Sequence, residues 1–156
     1  MFAGGEEDDV ARARELLDAF AARITHLGPS GSGQLGKAVN QVMISGTYAT
    51  VAEGLALAES AGMPLAALIE ALSGGAAGSW VLEHRAGNMV ADEYPLGFRV
   101  DLHRKDLAIA LEEADRLGRA LAVSRLVLEQ EDRLITAGHG GEDVSAVARV
   151  AKGEVP

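Results

Sequence analysis

The residues best placed to do chemistry in this sequence follow a glycine-rich turn, Gly28-Pro29-Ser30-Gly31-Ser32-Gly33. There a long helical pattern begins that carries Lys37, Asn40 and Gln41. Spacings of three and four residues put these side chains on one helix face. A lysine can donate a proton or stabilise charge on an oxygen, and a carboxamide beside it can orient the reacting group. The glycines let a backbone come close to a ligand. The first N–H groups of a helix are unpaired and lie at the positive end of its dipole, so they suit a carboxylate. The plainer alternative is a capped helix whose lysine is merely solvated, and spacing alone leaves both readings open.

Two sharper motifs fail on their context. Gly31-x-Gly33-x-x-Gly36 spells the dinucleotide-binding fingerprint, with Glu53 near the usual acidic position. That fingerprint needs a strand–helix–strand unit, whereas helix follows helix here. Gly31-x-x-x-x-Gly36-Lys37 nearly spells a phosphate-binding loop. Ala38 stands where that loop needs a hydroxyl for magnesium, and no apolar strand ending in Asp follows.

A second cluster, Phe98-Arg99-Val100-Asp101-Leu102-His103-Arg104-Lys105-Asp106-Leu107, crowds charge at the start of another helical pattern. Asp101 suits a helix N-terminus, but Arg104 and Lys105 do not, because the dipole disfavours cations there. A lysine so placed invites an anionic ligand; an ion pair with Asp101, four residues away, accounts for it more simply. Leu102, Ile109 and Leu117 are expected to form much of the buried stripe. His26, His84, His103 and His139 have no metal-ligand spacing, so no metal site is expected. Ser30 and Ser32 lack a His/Asp arrangement for nucleophilic catalysis.

The elements that must hold these groups read as follows. Asp8 or Asp9 caps a first helix to about Phe20, with Val10, Leu16, Leu17 and Phe20 on its apolar side. Residues 23–28 alternate like a short strand, which one helix cannot turn into a sheet. That strand is expected to lack a partner within the chain. A long helix spans 33–61 and is rich in small residues, which let neighbouring helices pack closely. Helices follow over 65–72, from Ser79 to about Met89, over 102–117 with Asp101 as cap, over 123–137, and from Asp143 to about Lys152. Residues 29–156 thus form an all-α domain of about six helices, and residues 1–28 look like the tail of a severed α/β domain.

The 156 residues suit a core built from aliphatic side chains: 48% are hydrophobic and only 4% aromatic. A net charge of −9 argues against nucleic acid as a partner. The absence of cysteine excludes disulfides and thiolate metal sites. No apolar run is long enough to span a membrane, and the N-terminus lacks the features of a signal peptide, so a cytoplasmic location is expected.

Two motifs together carry a resemblance. Gly31-Ser32-Gly33-Gln34-x-x-Lys37-x-x-Asn40-Gln41, and later Gly97-Phe98-x-x-Asp101-Leu102-x-x-Lys105-Asp106-Leu107, resemble the β-hydroxyacid dehydrogenases. These include 3-hydroxyisobutyrate dehydrogenase and 2-hydroxy-3-oxopropionate reductase, with 6-phosphogluconate dehydrogenase more distant. The resemblance implies the all-α, multi-helix C-terminal domain of the 6-phosphogluconate dehydrogenase type, over residues 29–156. Residues 1–28 would then be a helix-plus-strand remnant of the Rossmann-type nucleotide-binding domain. It implies NAD or NADP as cofactor, a small carboxylic acid as substrate, and a homo-oligomer, most simply a dimer.

By the same resemblance Lys37 is the catalytic acid/base, and Gly31, Ser32, Gly33, Asn40 and Gln41 face the substrate. Lys105, with Phe98 and Asp106, faces the cofactor. Neither the family's glycine-rich dinucleotide loop nor its Ser-Gly-Gly segment occurs in the chain. The chain alone is therefore expected to be inactive and to hold the cofactor weakly. The alternatives are a non-catalytic helical dimerisation or interaction module and an imine reductase-like relative, against which Lys37 speaks.

Overall fold

The computed structural model describes residues 1–155. Strand β1 (Phe2–Ala3), helix α1 (Glu7–Leu17) and strand β2 (Thr25–His26) come first. Helices α2 (Ser32–Ser60), α3 (Leu65–Ser73), α4 (Trp80–Ala91), α5 (Val100–Arg116) and α6 (Ala122–Thr136) follow. A 3₁₀ turn over Val144–Ala146 leads into the last helix, α7 (Val147–Ala151). The expectation of an all-α fold is met over the described residues that follow β2.

The strand read as partnerless has a partner within the chain. β1 and β2 pair in parallel, Phe2 opposite Thr25 and Ala3 opposite His26, joined through α1 in a minimal β–α–β unit. A parallel pair needs a crossover of this kind. Phe2–Ala3 is too short to announce itself by alternation, so its pairing became visible only in space. α1 starts before Asp8 and Asp9, with Glu6 at its N-cap, and ends at Leu17 rather than near Phe20; of its residues Val10 is buried, and Leu16 and Phe20 stay exposed, contrary to expectation.

α2 is the axis of the molecule and packs against α4, α5, α6 and α7. Its buried face carries Gln41, Ser45, Tyr48, Ala49, Ala52, Leu55 and Ala58. The small side chains let four helices crowd one cylinder, whereas the larger Leu35, Val39, Met43 and Leu57 lie on the outside. One core cluster joins Tyr48, Ala52 and Leu55 to Val81, Leu82, Ala86 and Met89 of α4 and to the C-terminal segment around Val144–Ala148. A second joins Ala49 to Leu107 and Leu111 of α5 and Val127 of α6. Ser79 caps α4 as expected, accepting a hydrogen bond from the Leu82 amide at 3.1 Å.

α5 departs from its reading in two ways. It begins at Val100, and Asp101 is not its cap. The amides of Val100 and Asp101 donate instead to the carbonyls of Glu142 and Gly140, both at 3.0 Å. The buried face is Val100, His103, Asp106, Leu107, Ala110, Leu111 and Ala114, while Leu102, Ile109 and Leu117 are exposed. Two of those buried positions are ionisable groups paired across to other helices, and a search for apolar periodicity discounts such groups.

Candidate active site

Lys37, Asn40 and Gln41 ride on the first turns of α2, and Lys105 and Asp106 on α5, which crosses α2 beside them. Asp106 is the hub. Its Oδ2 lies 2.7 Å from Lys37 Nζ and its Oδ1 3.0 Å from Lys105 Nζ. Gln41 Nε2 donates to Asp106 Oδ2 at 3.2 Å, and Asn40 Nδ2 donates to Gln41 Oε1 at 3.1 Å. Both lysine side chains are 61% exposed, against 8% for Asp106. Burial pushes the Asp106 carboxyl up; hydrogen bonds and charge from the two ammonium groups outweigh this and hold it below the ordinary value. The site is thus an ionised carboxylate, sunk between two helices, that tethers two solvent-facing cations.

The expected Lys105–Asp101 ion pair does not form. Asp101 pairs with Arg99, and Lys105 swings to Asp106. Gln41 is buried and uses its amide on Asn40 and Asp106, so it braces the carboxylate from below. Asn40 stays at the surface beside Lys37. Phe98 is half-buried, with its ring edge-on to His103 at 5.7 Å.

Gly31 opens α2 with φ 94°, a left-handed conformation that glycine adopts without strain, and open space lies where a Cβ would point. Gly33 is different: a Cβ there would come within 3.0 Å of the Phe2 carbonyl oxygen. At Gly36 a Cβ would meet the Leu27 side chain at 2.5 Å. These glycines of the apparent dinucleotide fingerprint let α2 settle against β1 and Leu27. Ser32 lies between them as the first residue of α2.

The lysine–amide face lies between two cavities. One, of about 640 Å³, runs along Phe2–Gly5 and is bounded by Gly33, Gln34 and Lys37. The other, of about 600 Å³, lies between α2, α4 and the 97–98 turn, with Asn40 and Phe98 in its wall.

Sequence reasoning missed two buried groups that shape this region. Asp143 Oδ2 accepts from the Gly97 and Phe98 amides at 3.1 and 2.9 Å, holding the turn that precedes α5. Its Oδ1 accepts from the Ser145 amide and hydroxyl at 3.1 and 2.6 Å. The Asp143-x-Ser145 spacing was a legible cap signal for the last helical segment, but nothing local revealed its reach to Gly97. His103 and Glu131 form the other group, a sealed pair between α5 and α6 with Nδ1 to Oε1 at 2.5 Å.

Comparison with known proteins sets this geometry in a family. Residues 31–151 match the family model described as the NAD-binding domain of NADP-dependent 3-hydroxyisobutyrate dehydrogenase. The chain belongs to the 3-hydroxyisobutyrate dehydrogenase-like family of NAD(P)-dependent enzymes. It is 44% identical over 124 residues to an uncharacterised oxidoreductase of Shewanella frigidimarina, covering 80% of this chain and 43% of that protein. With the 2-hydroxy-3-oxopropionate reductase of Escherichia coli it shares 33% identity over 150 residues, 96% of this chain and 51% of the relative. The crystal structure of a 3-hydroxyisobutyrate dehydrogenase from Salmonella typhimurium superposes with a TM-score of 0.85 at 30% identity, over 94% of this chain and 52% of that one. The chain spans about half the length of the family members it matches.

Proposed function

We propose that this chain is the catalytic C-terminal part of an NAD(P)-dependent β-hydroxyacid dehydrogenase. It would interconvert a short 3-hydroxy acid and its carbonyl acid, in the manner of 2-hydroxy-3-oxopropionate reductase or 3-hydroxyisobutyrate dehydrogenase. One observation carries this reading. Lys37 is anchored by a buried carboxylate on one side and stays open on the other, next to Asn40. An ammonium has three donors, so the tether to Asp106 leaves two for a ligand.

The nicotinamide cofactor supplies or accepts the hydride when bound. Lys105, exposed on the same carboxylate, and Phe98 fit the cofactor side, because a dinucleotide brings negative charge and a flat ring system. In the reductive direction Lys37 stabilises the charge that develops on the substrate oxygen and passes it a proton; in the oxidative direction a neutral Lys37 takes that proton back. Asn40 orients the substrate beside Lys37. Gln41 acts through Asp106, which keeps Lys37 Nζ in place. The Ser32 amide of the Gly31-Ser32-Gly33 turn is spent on the Pro29 carbonyl at 3.0 Å, so the next amides at the start of α2, from Gly33 on, would take the substrate carboxylate.

Residues 1–28 would close the nucleotide-binding domain, and residues 29–156 form the catalytic and dimerisation domain of a cytoplasmic protein. This chain alone is then expected to bind NAD(P) weakly and to show no useful turnover. The test is a chain extended by the family's nucleotide-binding half. There Lys37→Ala should lower kcat about 10²–10⁴-fold while cofactor affinity stays near that of the parent. Activity within a few-fold of the parent would leave the non-catalytic helical module as the better account. The outward Leu35, Val39, Met43 and Leu57 of α2 support a dimer. Light scattering at micromolar concentration should give twice the chain mass, and a monomer would sink that part.

A further inference from the structure

The cavity of about 600 Å³ that shares Asn40 and Phe98 with the lysine face also holds a guanidinium, that of Arg85 on α4. This side chain is 22% exposed, lies with its guanidinium 5.2 Å from the centre of the Trp80 ring, and has Nε 3.3 Å from Asp143 Oδ1. Asp143 gives it charge but little hydrogen bonding. Both carboxylate oxygens already receive four donors, from Gly97, Phe98 and Ser145. A carboxylate has about four lone-pair sites, so the fork of five N–H donors on Arg85 is left poorly matched. The guanidinium also donates to the Tyr48 hydroxyl, but Arg85 Nε is buried with no aligned acceptor among the described residues. Room for the group is built into the backbone: a Cβ on Gly97 would fall 2.4 Å from Arg85 Nη2 and 2.9 Å from Asp143 Oδ2. An under-bonded, enclosed guanidinium in a cavity is a receptor for a planar or tetrahedral anion.

We propose that Arg85 is a specificity-determining residue that binds a second anionic group, at the far end of an acid whose reacting end lies at Lys37 and Asn40. This rests on the active-site reading above and adds a substrate class to it: hydroxy acids that carry an anion at both ends. Continuity supports the assignment, since Asn40 and Arg85 line the same cavity. The second group can be a carboxylate or a phosphate, since a guanidinium fork takes either.

The experiment uses the chain as it is, titrated with small acids by calorimetry and followed at the Asn40 and Gly97 amides and the Trp80 indole by NMR. The probes are glutarate, with two carboxylates; glutaramate, with one end neutralised; and 3-phosphonopropionate, with one end a phosphonate. Glutarate should bind at least about tenfold more tightly than glutaramate, the scale of a hydrogen bond to a charged group, and should shift the Gly97 and Trp80 signals. If 3-phosphonopropionate exceeds glutarate, the far group is phosphate-like; the reverse order marks a carboxylate. Arg85→Lys keeps a cation for Asp143 but removes the fork, and should erase the preference.

Equal affinity for glutarate and glutaramate in the unaltered chain overturns the proposal, whatever the variant does, and makes Arg85 only the counter-ion of Asp143. If that shared affinity falls in Lys37→Ala, the active-site reading survives without it. A glutarate preference that needs Arg85 but is indifferent to Lys37 keeps the anion subsite and removes its link to the lysine. Binding of none of the three acids overturns the proposal, while the active-site reading keeps its own test in the extended chain.

Discussion

α5 carries two clusters that pair an acid with a basic side chain, one helical turn apart, and they are built in opposite ways. Asp106 sits between Lys37 and Lys105 with both lysines open to water. His103 and Glu131 are both within 1% of full burial, and His103 Nε2 and Glu131 Oε2 have no partner among the described residues. In the first cluster burial and cations compete over the carboxyl and the cations win, which favours an ionised anchor with movable charges around it. In the second, burial dominates and pushes the Glu131 carboxyl up against the opposing pull of His103. The lesson concerns what each kind of pair can do. Cations that reach into solvent can be shared with a ligand, whereas a sealed pair can only fix how two helices dock.

The strongest way to break this contrast is to remove one partner of the sealed pair. Glu131→Ala leaves His103 buried without its acceptor and should lower unfolding free energy by about 3–5 kcal/mol in urea titrations. A loss under about 1 kcal/mol would show that α5–α6 docking does not depend on the pair. Asp106→Asn should cost far less, about 1 kcal/mol, because both lysines are screened by water.

The two carboxyls also separate by pH. The folded value of Asp106 lies below its ordinary 3.8, so its contribution is in place above about pH 4 and is lost as pH falls through the folded value. Glu131 lies above its ordinary 4.5, so its contribution is in place below that and declines as pH rises through its folded value. The stability gap between the parent and Asp106→Asn should therefore shrink below pH 4. A gap that widens there would reverse the assignment. The smallest effect is expected at Asp132, which bonds Arg104 with both oxygens at 2.8 and 3.1 Å across the same two helices but near the surface. Asp132→Ala should cost about 0.2–1 kcal/mol and be blunted by salt, which equilibrium unfolding at two ionic strengths would measure.

Much of the fold was legible because helix signals are local. Ser79 capping α4, the small residues of α2 and the glycine stops between helices all act within a few residues of themselves, so chain order alone exposes them. Lys37, Asn40 and Gln41 on one face follow from 3.6 residues per turn. The cluster at Lys105 and Asp106 stood out because cations at a helix start are unfavourable. What the chain order could not reveal were pairings between distant segments. The partner of strand 25–26 is only two residues long. The buried face of α5 is built from His103 and Asp106 as much as from leucine, so apolar periodicity chose Leu102, Ile109 and Leu117, which face outward. Lys105 lies on Asp106, while Asp101 is taken by Arg99. Arg85 met Asp143 only because α4 and the C-terminal segment pack on the same stretch of α2. Sequence determined by itself which helices form and which chemical groups they carry, because hydrogen bonds and sterics within a helix need no distant partner. Tertiary structure decided which charges are shared, sealed or left under-bonded, because burial and partner distance are set only when helices cross.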